Sequence, residues 1–206
     1  VRIYRDDIQA VCDSARYHGK DSVLTIYGLP ICWNENNQMS ADLIHIYVKN
    51  QTVDYMHGIG SGLMVKQDGA NEYNQMAGKE ILAYIRDEDV YLVDVQGNAE
   101  TVFYPVEDDG SYIGVNRTQS SFVKVYLQDR KIDYVLFTTS TTGVMIPLDQ
   151  ALPEETRLNG FFWAEDERPR QAADIFLHPE RTKRPETVAI SASAEEDEEE
   201  EELPTK

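Results

Sequence analysis

Apolar and polar side chains take turns along much of this chain. The runs "SVLTIYG" (22–28), "LIHIYVKN" (43–50), "VYLVDVQG" (90–97), "FVKVYLQD" (122–129) and "KIDYVLFTT" (131–139) are short, rich in β-branched and aromatic residues, and set off by polar turn residues. Period two over such lengths marks half-buried strands joined by tight turns. Helical spacing is scarce before residue 150. Even in "MAGKEILAYIRDEDV" (76–90), Ile81, Ala83 and Ile85 alternate as a strand would. The pattern predicts an all-β fold.

Part of the pattern repeats. "SADLIHIYVKNQTVDY" (40–55) lies over "QSSFVKVYLQDRKIDY" (119–134) at an offset of 79, and "YHGKDSVLTIYG" (17–28) resembles "YIRDEDVYLVDVQG" (84–97) with Gly28 on Gly97, an offset of 69. The ten-residue difference falls in "PVEDDGSYIG" (105–114). Two units, about 6–66 and 77–146, would stack and bury one continuous apolar stripe. Alternation puts Leu24, Ile26, Ile44, Ile46 and Val48 on that stripe in the first unit, and Val93, Val95, Val123, Val125 and Leu127 in the second. His45, Asp94, Lys124 and Gln128 fall on the opposite, wet face. Each buried aliphatic contributes about 1.5 to 3 kcal/mol. The same residues would serve a filled core or a trough open to acyl chains, and alternation does not separate the two.

After residue 150 the pattern changes. Pro153 with Glu154 and Glu155 reads as the opening of a short helix, "FFW" (161–163) as an apolar plug over the last rung, and "QAADIF" (171–176) as a final strand or helical turn. Residues 151–178 form a cap in this reading. Residues 183–206 are too poor in apolar side chains to order themselves, and 195–202 are acidic throughout.

Charge narrows the partners. With 37 Asp and Glu against 19 Lys and Arg the net charge is −18. Binding to nucleic acid needs a basic stripe that this chain lacks, and docking on anionic headgroups is equally disfavoured. No apolar run approaches the roughly 18 to 20 residues of a membrane span, and no signal peptide opens the chain. Val1 begins inside the alternating "VRIYR", which reads as a piece of a longer protein.

The stretch Cys12–Asn50 tempts a catalytic reading. However, Cys12 and Cys32 are twenty residues apart and fit no zinc spacing. They are either one disulfide in an oxidising compartment or two small buried residues. His18, His45, His57 and His178 are scattered, the acids of "DEDV" (87–90) and "EDDG" (107–110) occupy turns, and "GIGSG" (58–62) precedes no helix as a phosphate loop must. Trp33 beside the turn "NENNQ" (34–38) is packing before it is a sugar platform. No catalytic residue, metal ligand or cofactor is nominated.

"VRIYRDDIQAVCDSARYHGKDSVLTIYGLPICWNENNQ", "YNQMAGKEILAY", "DVQGNAETVFYPVEDDGSYIGVN", "TTSTTGVMIPLDQ" and "LNGFFWAEDERPRQAADIF" resemble, in this order, the C-terminal part of the OstA-like family of Bacteroidota. The resemblance spans about residues 1–178 and extends to the LptA-like lipopolysaccharide-transport proteins. It implies stacked antiparallel strands in a V-shaped β-jellyroll, or β-taco, with a short C-terminal cap. It also implies a non-enzymatic cell-envelope protein, periplasmic or outer-membrane-associated, whose trough binds lipid A acyl chains and whose sheet edges meet other envelope-transport proteins. The alternative is a structural or protein-interaction stack with a filled core. An enzyme or carbohydrate-binding module ranks third.

Overall fold

The computed structural model of the protein describes residues 1–107 and 109–185. Thirteen strands carry the chain: β1 (Arg2–Tyr4), β2 (Gln9–Val11), β3 (Ser14–His18), β4 (Val23–Tyr27), β5 (Ile31–Asn34), β6 (Asn37–Ser40), β7 (Leu43–Lys49), β8 (Thr52–Gln67), β9 (Tyr73–Arg86), β10 (Asp89–Phe103), β11 (Val115–Gln128), β12 (Lys131–Thr138) and β13 (Thr142–Ile146). Every pairing is antiparallel. The all-β expectation holds.

One sheet is folded along a crease. On one side run β3, β4, β7, then 52–59 of β8, 80–86 of β9, 89–96 of β10, 122–128 of β11, and β12. On the other run β1, β2, β5, β6, then 62–67, 73–78, 99–103 and 115–120 of the same long strands, and β13. Where strands cross, the ladder slips between Ile59 and Gly62 in β8 and between Gln96 and Ala99 in β10. A slip of this kind bends a strand sharply. The backbone turns left-handed at Gly60 and Ser61 (φ 73° and 45°) and at Gly97 and Asn98 (φ 76° and 52°). The shorter strands cross at equivalent corners, Gly28–Leu29 and Thr139–Ser140, also at positive φ.

The repeat seen in the sequence is a repeat of geometry. Hairpin residues Asn50 and Gln51 (φ 51° and 69°) match Asp129 and Arg130 (φ 50° and 63°) at the offset of 79. The slip between Tyr47 and Val48 matches the one between Tyr126 and Leu127. Stacked Tyr47–Tyr55 (centroids 4.1 Å apart) matches stacked Tyr126–Tyr134 (4.2 Å). The extra ten residues are the loop between β10 and β11.

Two apolar clusters result. The larger lies inside the fold and draws on both halves: Ile26, Ile44, Ile46 and Val93 from one, Ala10, Cys32, Met39 and Met64 from the other. The smaller sits on the outer face of the second half, where Val11, Ile31, Trp33, Leu63, Val65 and Val102 are covered by Leu158, Phe162 and Ala164. This corrects the reading of "FFW" as a plug over the last rung. Residues 151–176 instead form a strap across a sheet face, from β11 and β13 back to β1, because the apolar stripe they cover runs along every rung of it. Arg117 donates to the Glu154 and Arg157 carbonyls at one end, and Arg2 donates to the Asp174 carbonyl at the other. Pro153 opens a turn rather than a helix, and Ala172–Phe176 is a short 3-10 turn.

Candidate functional site in the interior trough

The inside of the fold is an apolar trough floored by the crease and walled by the two halves of the sheet. Of the ten residues predicted to line it, Ile26, Ile44, Ile46, Val93, Val95, Val123 and Val125 are buried in the inner cluster. Leu24 and Leu127 pack against that cluster half-buried, and Val48 is half-buried beside its cross-strand partner Val53. Along most of its length the trough is therefore occupied by the protein's own side chains.

The rims differ from one end to the other. Near the N-terminal rungs, hairpin tips of the two halves are tied across the mouth. Arg5 donates to the Gln51 carbonyl (2.9 Å), and Asn34 donates to the Glu88 carbonyl (3.1 Å). Further along, Arg130 pairs with Glu35 (3.5 Å) while Lys66 donates to the Arg130 carbonyl (2.7 Å). Beyond Arg130 the mouth opens into a groove of about 780 Å³. Ile132, Val135 and Phe137 of β12 form one apolar wall; Phe103, Tyr104, Val106 and Met145 line the other side; Lys66 and Lys131 lie at the rim with Asp68 and Glu107. Ile132, Val135 and Phe137 are half-buried, continue the inner cluster and end in open space.

The pattern of the sequence contained these three residues but not their orientation. They sit in "KIDYVLFTT", where strict alternation breaks: Tyr126 faces Tyr134 and Leu127 faces Ile132, so Asp133 is extra. A bulge swaps faces without a mark in the hydrophobic pattern.

The other candidates fall as follows. Cys12 and Cys32 are free and buried in the inner cluster. Burial pushes both thiols up, which leaves them poor nucleophiles. His45 and His57, scattered in sequence, are cross-strand neighbours with ring centroids 6.4 Å apart. Their contacts are Thr25 Oγ1 for His45 Nδ1 (2.9 Å) and Glu80 Oε2 for His57 Nε2 (2.8 Å). Among the described residues no three His, Cys, Asp or Glu side chains converge as a metal site would require. Asp94, expected in water, is 8% exposed and paired with Lys124 (3.3 Å); that hydrogen bond raises the lysine's pKa. Trp33 is buried under the strap and not available to a sugar. No described helix is long and apolar enough to cross a membrane.

Comparison with known proteins places this geometry. A solved structure, LptH, the LptA-homologous periplasmic component of the conserved lipopolysaccharide transport device from Pseudomonas aeruginosa, superposes with a TM-score of 0.53 at 13% identity, covering 68% of this chain and 95% of that one. The fold is the LptA-like β-jellyroll. No family model matches the chain, and no curated protein matches it closely. This likeness supports the LptA-like part of the resemblance, at the level of fold; nothing in these comparisons bears out the OstA-like family itself.

Proposed function

We propose that this chain is a non-catalytic, lipopolysaccharide-transport-like protein of the cell envelope, periplasmic or outer-membrane-associated, that accepts the acyl chains of a lipid at the open end of its trough. The observation that carries the reading is the half-buried wall Ile132, Val135 and Phe137, apolar, continuous with the core and facing a groove of about 780 Å³. An acyl chain gains about 0.8 kcal/mol for each CH₂ it buries there. The acidic surface would repel lipid phosphates, so the acyl chains supply the affinity, with Lys66 and Lys131 as the cations at the rim. From this end a chain could extend along Leu127, Val125 and Val123 only where side chains move aside, so the ten-residue stripe acts as a lining that must open. Among the described residues, the outward edges of β12 and β13 pair with no further strand. Such edges are templates for another sheet, and we assign them to neighbouring envelope-transport proteins.

Native mass spectrometry of the protein purified from a Gram-negative host tests this. The wild type should carry lipid, Phe137→Glu should lose it, and Tyr134→Glu, outward-facing on the same strand, should keep it. A wild type free of lipid would favour the second reading, a filled structural stack, which the complete burial of Ile26, Ile44, Val93, Val95, Val123 and Val125 supports.

A further inference from the structure

The mouth of the trough is closed by one kind of contact used three times. The hairpin tips Asn50–Gln51, Asp87–Glu88 and Asp129–Arg130 are two-residue turns with both residues at positive φ. In such a turn the ladder closes on the flanking residues, so the second turn carbonyl has no partner in its own hairpin. Each of these carbonyls accepts from a side chain of the facing wall. Arg5 donates to Gln51 (2.9 Å), Asn34 to Glu88 (3.1 Å) and Lys66 to Arg130 (2.7 Å). Each donor is also held within its own wall, Arg5 by the Asp7 carboxylate (2.8 Å), Asn34 by the Asp7 carbonyl (2.8 Å) and Lys66 by Asp68 (3.7 Å). Ile8, Val53, Ile85 and Val90, the inner-cluster residues next to the tips, are at most 7% exposed. Residues 181–185 lie elsewhere, along the corners of the crease, where Arg184 donates to the Pro30 (2.8 Å) and Ala41 (3.3 Å) carbonyls. Of these, 183–185 were expected to be disordered with the tail; 186–206 lie outside the described residues.

The three rungs are not equally strong. Asn34 is buried, and both hydrogens of its amide are used. The Lys66 rung is at the surface. The pairs that brace it, Arg130 with Glu35 (3.5 Å) and with Asp89 (2.8 Å), are exposed, so they contribute little and weaken with salt. This rung also stands at a boundary. Lys66 lines the open groove of about 780 Å³ and a separate cavity of about 60 Å³ that Asn34, Val90, Leu127 and Arg130 also line. Val90 belongs to the inner cluster and Leu127 packs against it. Parting this one rung joins the groove to the closed part of the trough.

We propose that the Lys66–Arg130 rung is a gate, which sets how far an acyl chain in the open groove can run toward Leu127 and Val90. For its occupant the gate rests on the acyl-chain reading above. The buried Asn34 rung holds the mouth behind it, so the zipper opens from the Lys66 end. Lys66→Met removes the donor and keeps the apolar stem, while Lys66→Arg keeps a donor.

Two measurements separate the gate from its occupant. The first needs no lipid. In Val90→Cys the new thiol lies behind the rung, Cys12 and Cys32 are buried, and labelling by a small uncharged maleimide reports opening. Adding Lys66→Met should speed that labelling about tenfold or more, since one hydrogen bond to a charged group is lost. Adding Lys66→Arg should leave it nearly unchanged. Equal labelling with and without Lys66→Met would overturn the gate. Should Val90→Cys fail to fold, hydrogen exchange at the amides of 127–132 in Lys66→Met takes its place, and rates equal to the wild type would overturn the gate likewise. The second measurement is titration with monomeric octyl to hexadecyl maltosides, whose uncharged heads do not engage the lysine as a cation. For the wild type, affinity should stop rising once the tail fills the groove; for Lys66→Met it should go on rising with tail length. Matching curves for the two chains would overturn the gate and leave the acyl-chain reading standing. No binding at any tail length, together with faster labelling in Lys66→Met, would support the closure and overturn the acyl occupant.

Discussion

Gln38 and Gln75 are fully buried amides on the sheet face that the strap covers. Each clamps the strap as a strand would. Gln38 donates to the Phe162 carbonyl (3.0 Å) and accepts from the Ala164 N–H (2.8 Å), while Gln75 donates to the Thr156 carbonyl (2.8 Å) and accepts from the Leu158 N–H (2.8 Å). Nothing in the reading of "NENNQ" as a turn marked Gln38 for burial, since a glutamine beside Asn36 and Asn37 carries no local sign that its partner lies more than 120 residues away. Replacing Gln38 by Leu strands two buried backbone groups, at about 1 to 3 kcal/mol each. Thermal melts should show Gln38→Leu well below the wild type, and Asn36→Ala, at an exposed turn, close to it. His45 offers a prediction in pH. Burial, then the neighbouring His57 and His18, hold its ring below the usual imidazole range. The unfolded chain takes this proton near 6.5 and the folded chain only at lower pH. Between those values the unfolded state binds more protons, so this group's stabilisation is present above about 6.5 and is lost as the pH falls. Relative to His45→Gln, the wild type should lose melting temperature from pH 7 to 5, and a relative gain would contradict the geometry.

The elements divide into those the alternation reveals and those it does not. Strands of the first half of the sheet were legible because one face packs inward and the other meets solvent, and the repeat at an offset of 79 was legible too, although the matching slips within it were not. The crease was not. Its corners are built from Gly28–Leu29, Gly60–Ser61, Gly97–Asn98 and Thr139–Ser140, which share a left-handed backbone; three open on glycine, but the second residue differs each time and the fourth has no glycine. "GIGSG" therefore read as a glycine stretch without a purpose, when it is the point at which β8 crosses from one wall to the other. Gly78 shows how tight the fold is there: a Cβ would stand 2.6 Å from Val95 Cγ1 and 3.2 Å from the Gln96 carbonyl. Gly78→Ala should cost about 1 to 3 kcal/mol as overpacking. Gly19→Ala, whose new Cβ would meet only Tyr17 at 3.7 Å, should change stability by less than about 0.5 kcal/mol. Equilibrium denaturation of the pair separates a crease that needs its glycines from one that tolerates a methyl.

At the scale of the molecule, the fold has one covered outer face and one bare one. Sheet positions 52–59, 80–86 and 122–128 show solvent a row of tyrosines that satisfies itself by stacking, Tyr47 on Tyr55 on Tyr84, and Tyr126 on Tyr134. The opposite half has no such solution. Its outer residues Val11, Ile31, Trp33, Leu63, Val65 and Val102 are aliphatic or indole and are at most 6% exposed only because the strap lies on them. A bare patch of that kind drives association. The strap is thus part of the core although it follows the last strand, and its aromatic residues were visible in the sequence while the face they cover was not. A chain ending at residue 150 keeps every strand, so its far-ultraviolet dichroism should stay β-rich, yet it loses the cover over Trp33. Trp163 leaves with the strap, which makes Trp33 the single remaining tryptophan. Its emission should shift to the red relative to the full chain, the protein should self-associate, and Gln38→Leu should reproduce a fraction of the shift by loosening the strap at one clamp. Unchanged emission from the shortened chain would mean that the strap rests on the sheet without sealing it.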